Sequence, residues 1–382
     1  MRDLNLTPPK LADYCRSMAS AGAIRISAEI LRELIARMFV ATGVRHQAAD
    51  RVAAGLVEAD LQGLSSHGVM LMDMYIERLR HGSVSTKETA AVVCERDAAV
   101  VLDAGHALGQ LTGEQAMDLA IERARRFGVG VAAVRHGFHF GTARRYAERA
   151  AQAGCIGIAM CNTRPLMPAP GGAERLVGNN PIAIALPVAG AIPVVLDMAT
   201  SEAAMGKIRL GAKAGESIPG NWAVASDGSP TTDPAKAIAG MLLPAGGAKG
   251  FGLAFVIDLM CGLLSGGATG QEVRPLYGDP SIPYDCSHLF IAVHVAHFAD
   301  LEHFRIKAQA SAERVRTSRP AAGVQTVFAP GEPEWRKSES SADQVTLAPE
   351  VCTMLVRLAR ELNVSAEPLA LTRETGCGHA QT

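Results

Sequence analysis

From Ser27 onward, apolar residues recur at helical spacing. In "SAEILRELIARMFVATGV", Leu31, Leu34, Ile35, Met38 and Phe39 share one face, after a serine suited to N-capping. "HQAADRVAAGLVEADLQG" predicts a second helix after a short turn. "DLQGLSSHGVMLMDMYIERL" comes next, rich in Leu, Met and Ile like a buried helix, yet interrupted by Ser65, Ser66, His67 and Gly68. The pattern then changes. "AAVVCE", "AAVVLDAG", "VGVAAVR", "CIGIAMCN", "NPIAIALPV" and "IPVVLDMA" are short runs bounded by Gly, Pro and Asn, and read as strands. Amphipathic helices, "LTGEQAMDLAIERARRFG" and "GTARRYAERAAQAG", lie between some of them. "DGSPTTDP" reads as a turn followed by a helix capped by Asp233, with Pro234 in its first turn. Near the end, "TLAPEVCTMLVRLARELNV" places Val351, Leu355, Leu358 and Leu362 on one stripe after Pro349.

This order predicts an α/β (α+β) chain. Both chain ends, residues 1–88 and 306–382, form a helical domain around a sheet-containing domain at 89–305. Residues 1–25 read as a loosely packed leader.

Composition narrows the partners. The chain has 382 residues, 48% hydrophobic and 20% charged, with a net charge of −1. It has no long block of like charge, which argues against nucleic acid and membrane as partners. The first residues carry Asp3, Lys10 and Asp13 and lack the apolar core of an export signal. The longest apolar run, "FGLAFVIDLMCGLL", contains Asp258 and falls short of the ~20 residues a bilayer span needs. The eight cysteines are scattered and no pair has C-x-x-C spacing. A cytoplasmic protein without disulfides or structural zinc is expected. Cys377 and His379 on the tail are weak evidence for a metal, and none is expected.

Several stretches have the residues for chemistry. His67 beside Ser66 suits proton transfer near neutral pH, although a capping serine and a core histidine is the simpler local reading. His136 and His139 stand three apart without a nearby carboxylate or metal-binding spacing. Gly141 then opens a helix, and a helix start after a strand is an anion site as readily as a plain turn. Asp197 ends a strand, where it either accepts from ribose hydroxyls or acts as a cap. Thr200 or Ser201 then caps the next helix. In "LLPAGGAKGFGLAFVIDLMCGLL", glycine amides and Lys249 suit a diphosphate, and the same glycines also suit close helix packing. The loop is neither G-x-x-x-x-G-K-[ST] nor a G-x-G-x-x-G turn after an early strand.

Taken in order, "GLSSHGV…YIERL", "GHALGQ", "HFG", "CIGIAMCNT", "PAPGGAE", "GNNP", "LDMATS", "GK", "IPGNWA", "DGSPTTDP", "LLPAGGAKGFGLA" and "APGEPE" resemble the malate/L-lactate dehydrogenase family. That family includes ureidoglycolate, sulfolactate and diketogulonate dehydrogenases or reductases, and reductases of cyclic imino acids. The resemblance covers roughly residues 27 to 365. It implies NAD or NADP bound on a largely antiparallel, non-Rossmann domain. It also implies a homodimer with active sites at domain and subunit boundaries. It assigns His67 as proton donor and acceptor, supported by Ser66, with His139 as the competing base. Thr163 falls at a substrate- or cofactor-contacting position. Asp197, Met198 and Ala199 match a nucleotide-binding segment, Lys249 the cofactor-phosphate lysine, and Gly331, Glu332 and Pro333 a late cofactor-contacting turn. Gly68 reads as backbone close to a ligand.

One position departs from the family. Many members carry arginine four residues after the Ser-His-Gly histidine, and Leu71 stands there in this chain. The carboxylate anchor is then expected at Arg164 or Arg144. Alternatively, Leu71 and Met74 offer an apolar wall to an uncharged or bulkier substrate. The expected activity is hydride transfer between nicotinamide and a small 2-hydroxy acid/2-oxo acid. The rivals are reduction of a cyclic imine and cofactor binding without turnover. Arg209 or Lys213 would meet a 2′-phosphate if the cofactor is NADP.

Overall fold

The computed structural model describes residues 23–367 and residue 369. Most of the leader and the Cys377/His379 tail lie outside the described residues. The chain divides into two compact units, one drawing on both chain ends, up to Arg80 and from Arg336, the other running His81–Trp335.

In the first unit, a short antiparallel ladder ties the chain ends together. Strand Ile24–Ser27 pairs with Gln344–Leu347, with Ile24 opposite Leu347. Helix Ala28–Ala41 buries Leu31, Leu34, Ile35, Met38 and Phe39, as its periodicity predicts. Ser27 sits at its N-cap but makes no capping bond. Phe39 meets Tyr75 of helix Met72–Arg80 edge-on, at 5.9 Å. Helix Pro349–Glu361 has Pro349 in its first turn and buries Leu355 and Leu358.

The second unit is built on seven strands in the spatial order Ala91–Arg96, Ala99–Asp103, Val129–Gly137, Cys286–His294, Cys155–Cys161, Ile182–Leu186, Val194–Met198. Only the pairing of Ala99–Asp103 with Val129–Gly137 is parallel. Helices Gly109–Phe127 and Arg144–Gln152 cover one face, over Ala132, Val134, Ala159 and Phe290. Helix Ala248–Ser265 covers the other, where Ile257 and Cys261 meet Ala133, Met160 and Leu289. Adjacent residues thus serve opposite faces, as the pleat requires.

The central strand, Cys286–His294, is absent from the sequence-based list. Its first five residues are all buried, so it shows no alternation, and Ser287 and His288 break its apolar run. The 286–294 strand and the Arg316–Glu332 ion pair belong to the second unit, which continues past residue 306 to Trp335. The helix expected after Thr200 or Ser201 begins at Met205, and the Ser201 hydroxyl donates instead to the Ala203 carbonyl. Helix Ala248–Ser265 is longer than its apolar run and, by length and composition alone, long enough to cross a bilayer. Its Asp258 is buried and accepts from the Gly270 amide at 2.9 Å, and its inner face packs on the sheet as a core helix does.

Candidate active site

Ser66, His67 and Leu71 belong to the first unit, and the remaining candidates to the second. The interrupted stretch is not one helix. Helix His46–Leu61 ends, two single 3-10 turns follow at Ser65–His67 and Val69–Leu71, and helix Met72–Arg80 begins. His67 is half-buried, with Nδ1 3.0 Å from the Ser66 hydroxyl oxygen. Burial lowers its pKa below the ordinary 6.5. Leu71 and Met74 are buried.

Gly68 packs against a carboxylate of its own chain. A Cβ built there would lie 2.3 Å from Asp60 Oδ2, so no other residue fits while that carboxylate is in place. The same oxygen accepts the Val69 amide at 2.8 Å.

In the second unit, His139 follows strand Val129–Gly137 and is half-buried between two buried phenylalanines, Phe138 and Phe140. Phe140 stacks on His288 at 4.6 Å, and Phe138 meets Tyr284 edge-on at 6.3 Å, so both neighbours of His139 are packed. His136 is engaged elsewhere, with Nδ1 3.0 Å from the Asp103 carboxylate.

The polar loops join in a continuous chain of hydrogen bonds. The Thr163 amide donates to Asn180 Oδ1 at 2.7 Å, and its hydroxyl to Asn179 Oδ1 at 3.1 Å. The Thr200 amide donates to the Asn179 carbonyl, and the Ala245 amide to the Thr200 carbonyl. The Gly246 amide donates to Glu202 Oε2 at 3.3 Å. Asn180 is fully buried and its Nδ2 donates to the Ala254 carbonyl, which pins the loops to helix Ala248–Ser265. "NTRP", "GNNP", "LDMATS" and "PAGGAK", far apart in sequence, therefore form one wall. Asn180 lies in "GNNP", and a buried asparagine bonded through both Oδ1 and Nδ2 makes the cross-loop tie.

Asp197 and Arg144 are tied together. Asp197 Oδ2 accepts the Arg144 amide at 3.2 Å, at the start of helix Arg144–Gln152. Withdrawal of the carboxyl from water by the protein around it pushes its pKa up to about 6, although the residue is open at the surface. The helix start after "HFG" is thus held by the protein's own carboxylate. The Arg144 guanidinium is buried and pairs with Glu148 at 2.7 Å and Glu334 at 3.6 Å. It is committed to those acids and is removed as a substrate anchor.

Arg164 contrasts with it. It is half-buried, and among the described residues no carboxylate pairs with it. Burial, Arg175 and Arg209 lower its pKa, against the opposing influence of Tyr284 and Tyr277. Arg209 lies over the Tyr277 ring at 5.9 Å.

The loop before helix Ala248–Ser265 has Gly246 at φ 62° and Gly247 at φ 65°, a region open to glycine and strained for other residues. A Cβ at either position would meet nothing within 4 Å. Lys249 is exposed in the first turn. A cavity of roughly 530 Å³ borders this loop, lined in part by Gly171, Gly172, Glu202, Asn221, Gly246 and Gly247. The Thr200 hydroxyl is buried and has no hydrogen-bond partner among the described residues. A glycine loop bordered by open space, an exposed lysine and a buried hydroxyl suit the diphosphate and hydroxyls of a dinucleotide.

The late turn lies against strand Val194–Met198. The Val195 amide donates to the Pro330 carbonyl at 3.1 Å. Glu332 is buried, pairs with Arg316 at 2.7 Å and accepts the Ala329 amide. Its carboxylate holds the turn, while Gly331 and exposed Pro333 present the turn's backbone.

A sequence profile of the malate/L-lactate dehydrogenase family matches residues 26–356. The L-sulfolactate dehydrogenase of Methanocaldococcus jannaschii is 37% identical over 336 residues, 88% of this chain and 96% of that protein. The ureidoglycolate dehydrogenase (NAD(+)) of Escherichia coli K12 is 34% identical, covering 84% of this chain and 91% of that protein. The (2R)-3-sulfolactate dehydrogenase (NADP(+)) of Chromohalobacter salexigens is 37% identical, covering 72% and 83%. Among solved structures, the Methanocaldococcus jannaschii sulfolactate dehydrogenase superposes with a TM-score of 0.85 at 36% identity, over 90% of this chain and 99% of that one. A delta1-piperideine-2-carboxylate reductase from Pseudomonas syringae superposes at 0.78 with 29% identity, over 87% and 99%.

Proposed function

The chain belongs to the malate/L-lactate dehydrogenase family, and from that membership we propose that it interconverts a small 2-hydroxy acid and its 2-oxo acid. It is an NAD(P)-dependent dehydrogenase acting on a CH–OH group. The observation that carries the substrate class is Arg164, a half-buried guanidinium without an acid partner among the described residues, beside two further arginines. That field selects an anion, and a guanidinium matches a carboxylate in a bidentate fork.

His67 moves the proton. With Nδ1 engaged by Ser66, we assign the transfer to Nε2. In reduction, imidazolium Nε2–H donates to the substrate oxygen while Nδ1–H donates to the Ser66 hydroxyl. In oxidation, neutral Nε2 accepts the hydroxyl proton. The cofactor, when bound, supplies or accepts the hydride. Gly246, Gly247 and Lys249 would hold its diphosphate, with Met198, Ala199 and the Gly331–Pro333 backbone along its length. Asp197 keeps the adjoining helix in place.

A second reading is reduction of a cyclic imine. Leu71 at the family's arginine position and the structural likeness to the Pseudomonas syringae reductase favour it. We also propose a cytoplasmic homodimer. A second copy would cover Leu253, Phe255, Val256, Leu263 and Leu264, the exposed face of helix Ala248–Ser265.

The test is the initial rate of NADH and NADPH oxidation with a panel of 2-oxo acids and cyclic imines, for the wild type, Arg164→Ala and His67→Asn. Turnover of a 2-oxo acid is expected, with KM raised at least tenfold by Arg164→Ala and kcat lowered by His67→Asn. Because burial lowers the His67 pKa, oxidation should rise with pH through a midpoint below 6.5, and reduction should fall over the same range. An imine-only rate would replace the first reading by the second, and silence with cofactor bound would defeat both.

A further inference from the structure

We propose that Asp60 is a positioning residue for catalysis, a carboxylate staple that holds the His67 turn in its working shape; this rests on His67 as the proton-transferring group. Asp60 is the penultimate residue of helix His46–Leu61. The chain leaves that helix through Gly63 and Leu64, whose amides return to the Asp60 and Ala59 carbonyls. Its carboxylate then reaches nine residues ahead and accepts the Val69 amide at 2.8 Å. The Ser65 hydroxyl donates to the same carboxylate. The two contacts lie on either side of Ser66 and His67, so the carboxylate closes the turn from below.

Within the turn the backbone does little to hold itself. The His67 amide donates to Leu64, the Gly68 amide to Ser65 and the Leu71 amide to Gly68, all isolated 3-10 contacts. Such turns do not persist on their own. A half-buried carboxylate with two donors gives the turn a single geometry. Gly68 completes the arrangement, because a methyl group there would occupy the place of Oδ2. The Asp60 contacts run to the Val69 amide and the Ser65 hydroxyl, on either side of His67 in the chain, so Asp60 acts through the shape of the turn. The acid itself titrates near 6, raised by burial against the bonds from Val69 and Ser65.

The full-length protein is assayed with NAD(P)H and the best substrate of the panel. The variants are Asp60→Ala, Asp60→Asn, Gly68→Ala and Asp60→Ala/Gly68→Ala, with His67→Asn as reference. Asp60→Ala should lower kcat about 10–100-fold, the range typical of residues that orient a catalytic ligand. NAD(P)H affinity should stay within about twofold, because Lys249 and its loop are untouched. The solvent deuterium isotope effect on kcat should rise, since a misplaced donor makes proton transfer limiting. Asp60→Asn, which folds with an oxygen still available to Val69, should recover most of the rate. Gly68→Ala should resemble Asp60→Ala, and in the double variant its extra cost should largely vanish, because the carboxylate it collides with is gone.

Full activity in Asp60→Ala, an unchanged isotope effect, or additive losses in the double variant would overturn the staple while His67→Asn remains impaired. Full activity in His67→Asn would instead defeat the proton-transfer reading, and the staple's catalytic role with it.

Discussion

The helix starting at Arg144 and the helix starting at Ala248 both follow glycine-bearing loops, and both present amides that favour an anion. At Arg144 the anion is already present. Asp197 crosses from a neighbouring strand to accept the first amide, and the helix's own arginine is neutralised by Glu148 and Glu334. At Ala248 the glycines face open space and Lys249 is exposed, while the Gly246 amide donates to exposed Glu202 and the Gly247 amide to the Pro244 carbonyl. A helix start is therefore not a ligand site by itself. It becomes a candidate where an exposed cation, and not a paired arginine, stands in its first turn.

Lys249→Met should produce the largest effect on this contrast. Loss of a charge-assisted phosphate contact should weaken NAD(P)H binding about 10–100-fold in a fluorescence titration, with kcat at saturation little changed. An unchanged dissociation constant would mean that the open start is not the phosphate site. Asp197→Ala, measured without cofactor, should cost about 1–2 kcal/mol of stability through loss of the helix-start acceptor. A carboxyl raised from 3.8 to about 6 takes up a proton on folding, so the wild type should gain stability relative to Asp197→Asn as pH falls through 6 toward 3.8. The opposite slope would place this acid in a strong ion pair and blur the difference between the two starts. Glu202→Ala should act least, tightening NAD(P)H about two- to fivefold as the Gly246 amide is released. Weaker binding would show that Glu202 serves the ligand.

Much of the architecture was legible because its signals are local. The faces of helices Ala28–Ala41 and Gly109–Phe127 follow a 3.6-residue period, and the six edge and flanking strands alternate or stand between turn residues. Asp233 caps its helix by accepting the Ala235 and Lys236 amides, with Pro234 in the first turn. The central strand was not legible, since burial on both faces removes the alternation that marks a strand. The candidate site divides in the same way. His67, His139, Thr163, Lys249 and the glycine loop carry their chemistry in the residues themselves. The ties that place them, Asn180 to Ala254 and Asp60 to Val69, carry no pattern at short range.

Periodicity, turn chemistry and motif order are properties of neighbouring residues, and they sufficed for most helices, six of the seven strands of the large sheet, the candidate site residues and the family. The pairing of Arg144 with Glu148 and Glu334, the lack of an acid beside Arg164 among the described residues, and the carboxylate that leaves no room for a Cβ at Gly68 emerge only in three dimensions. Whether a charge is paired or an amide satisfied depends on what the fold brings within about 3 Å, and that distance has no counterpart along the chain.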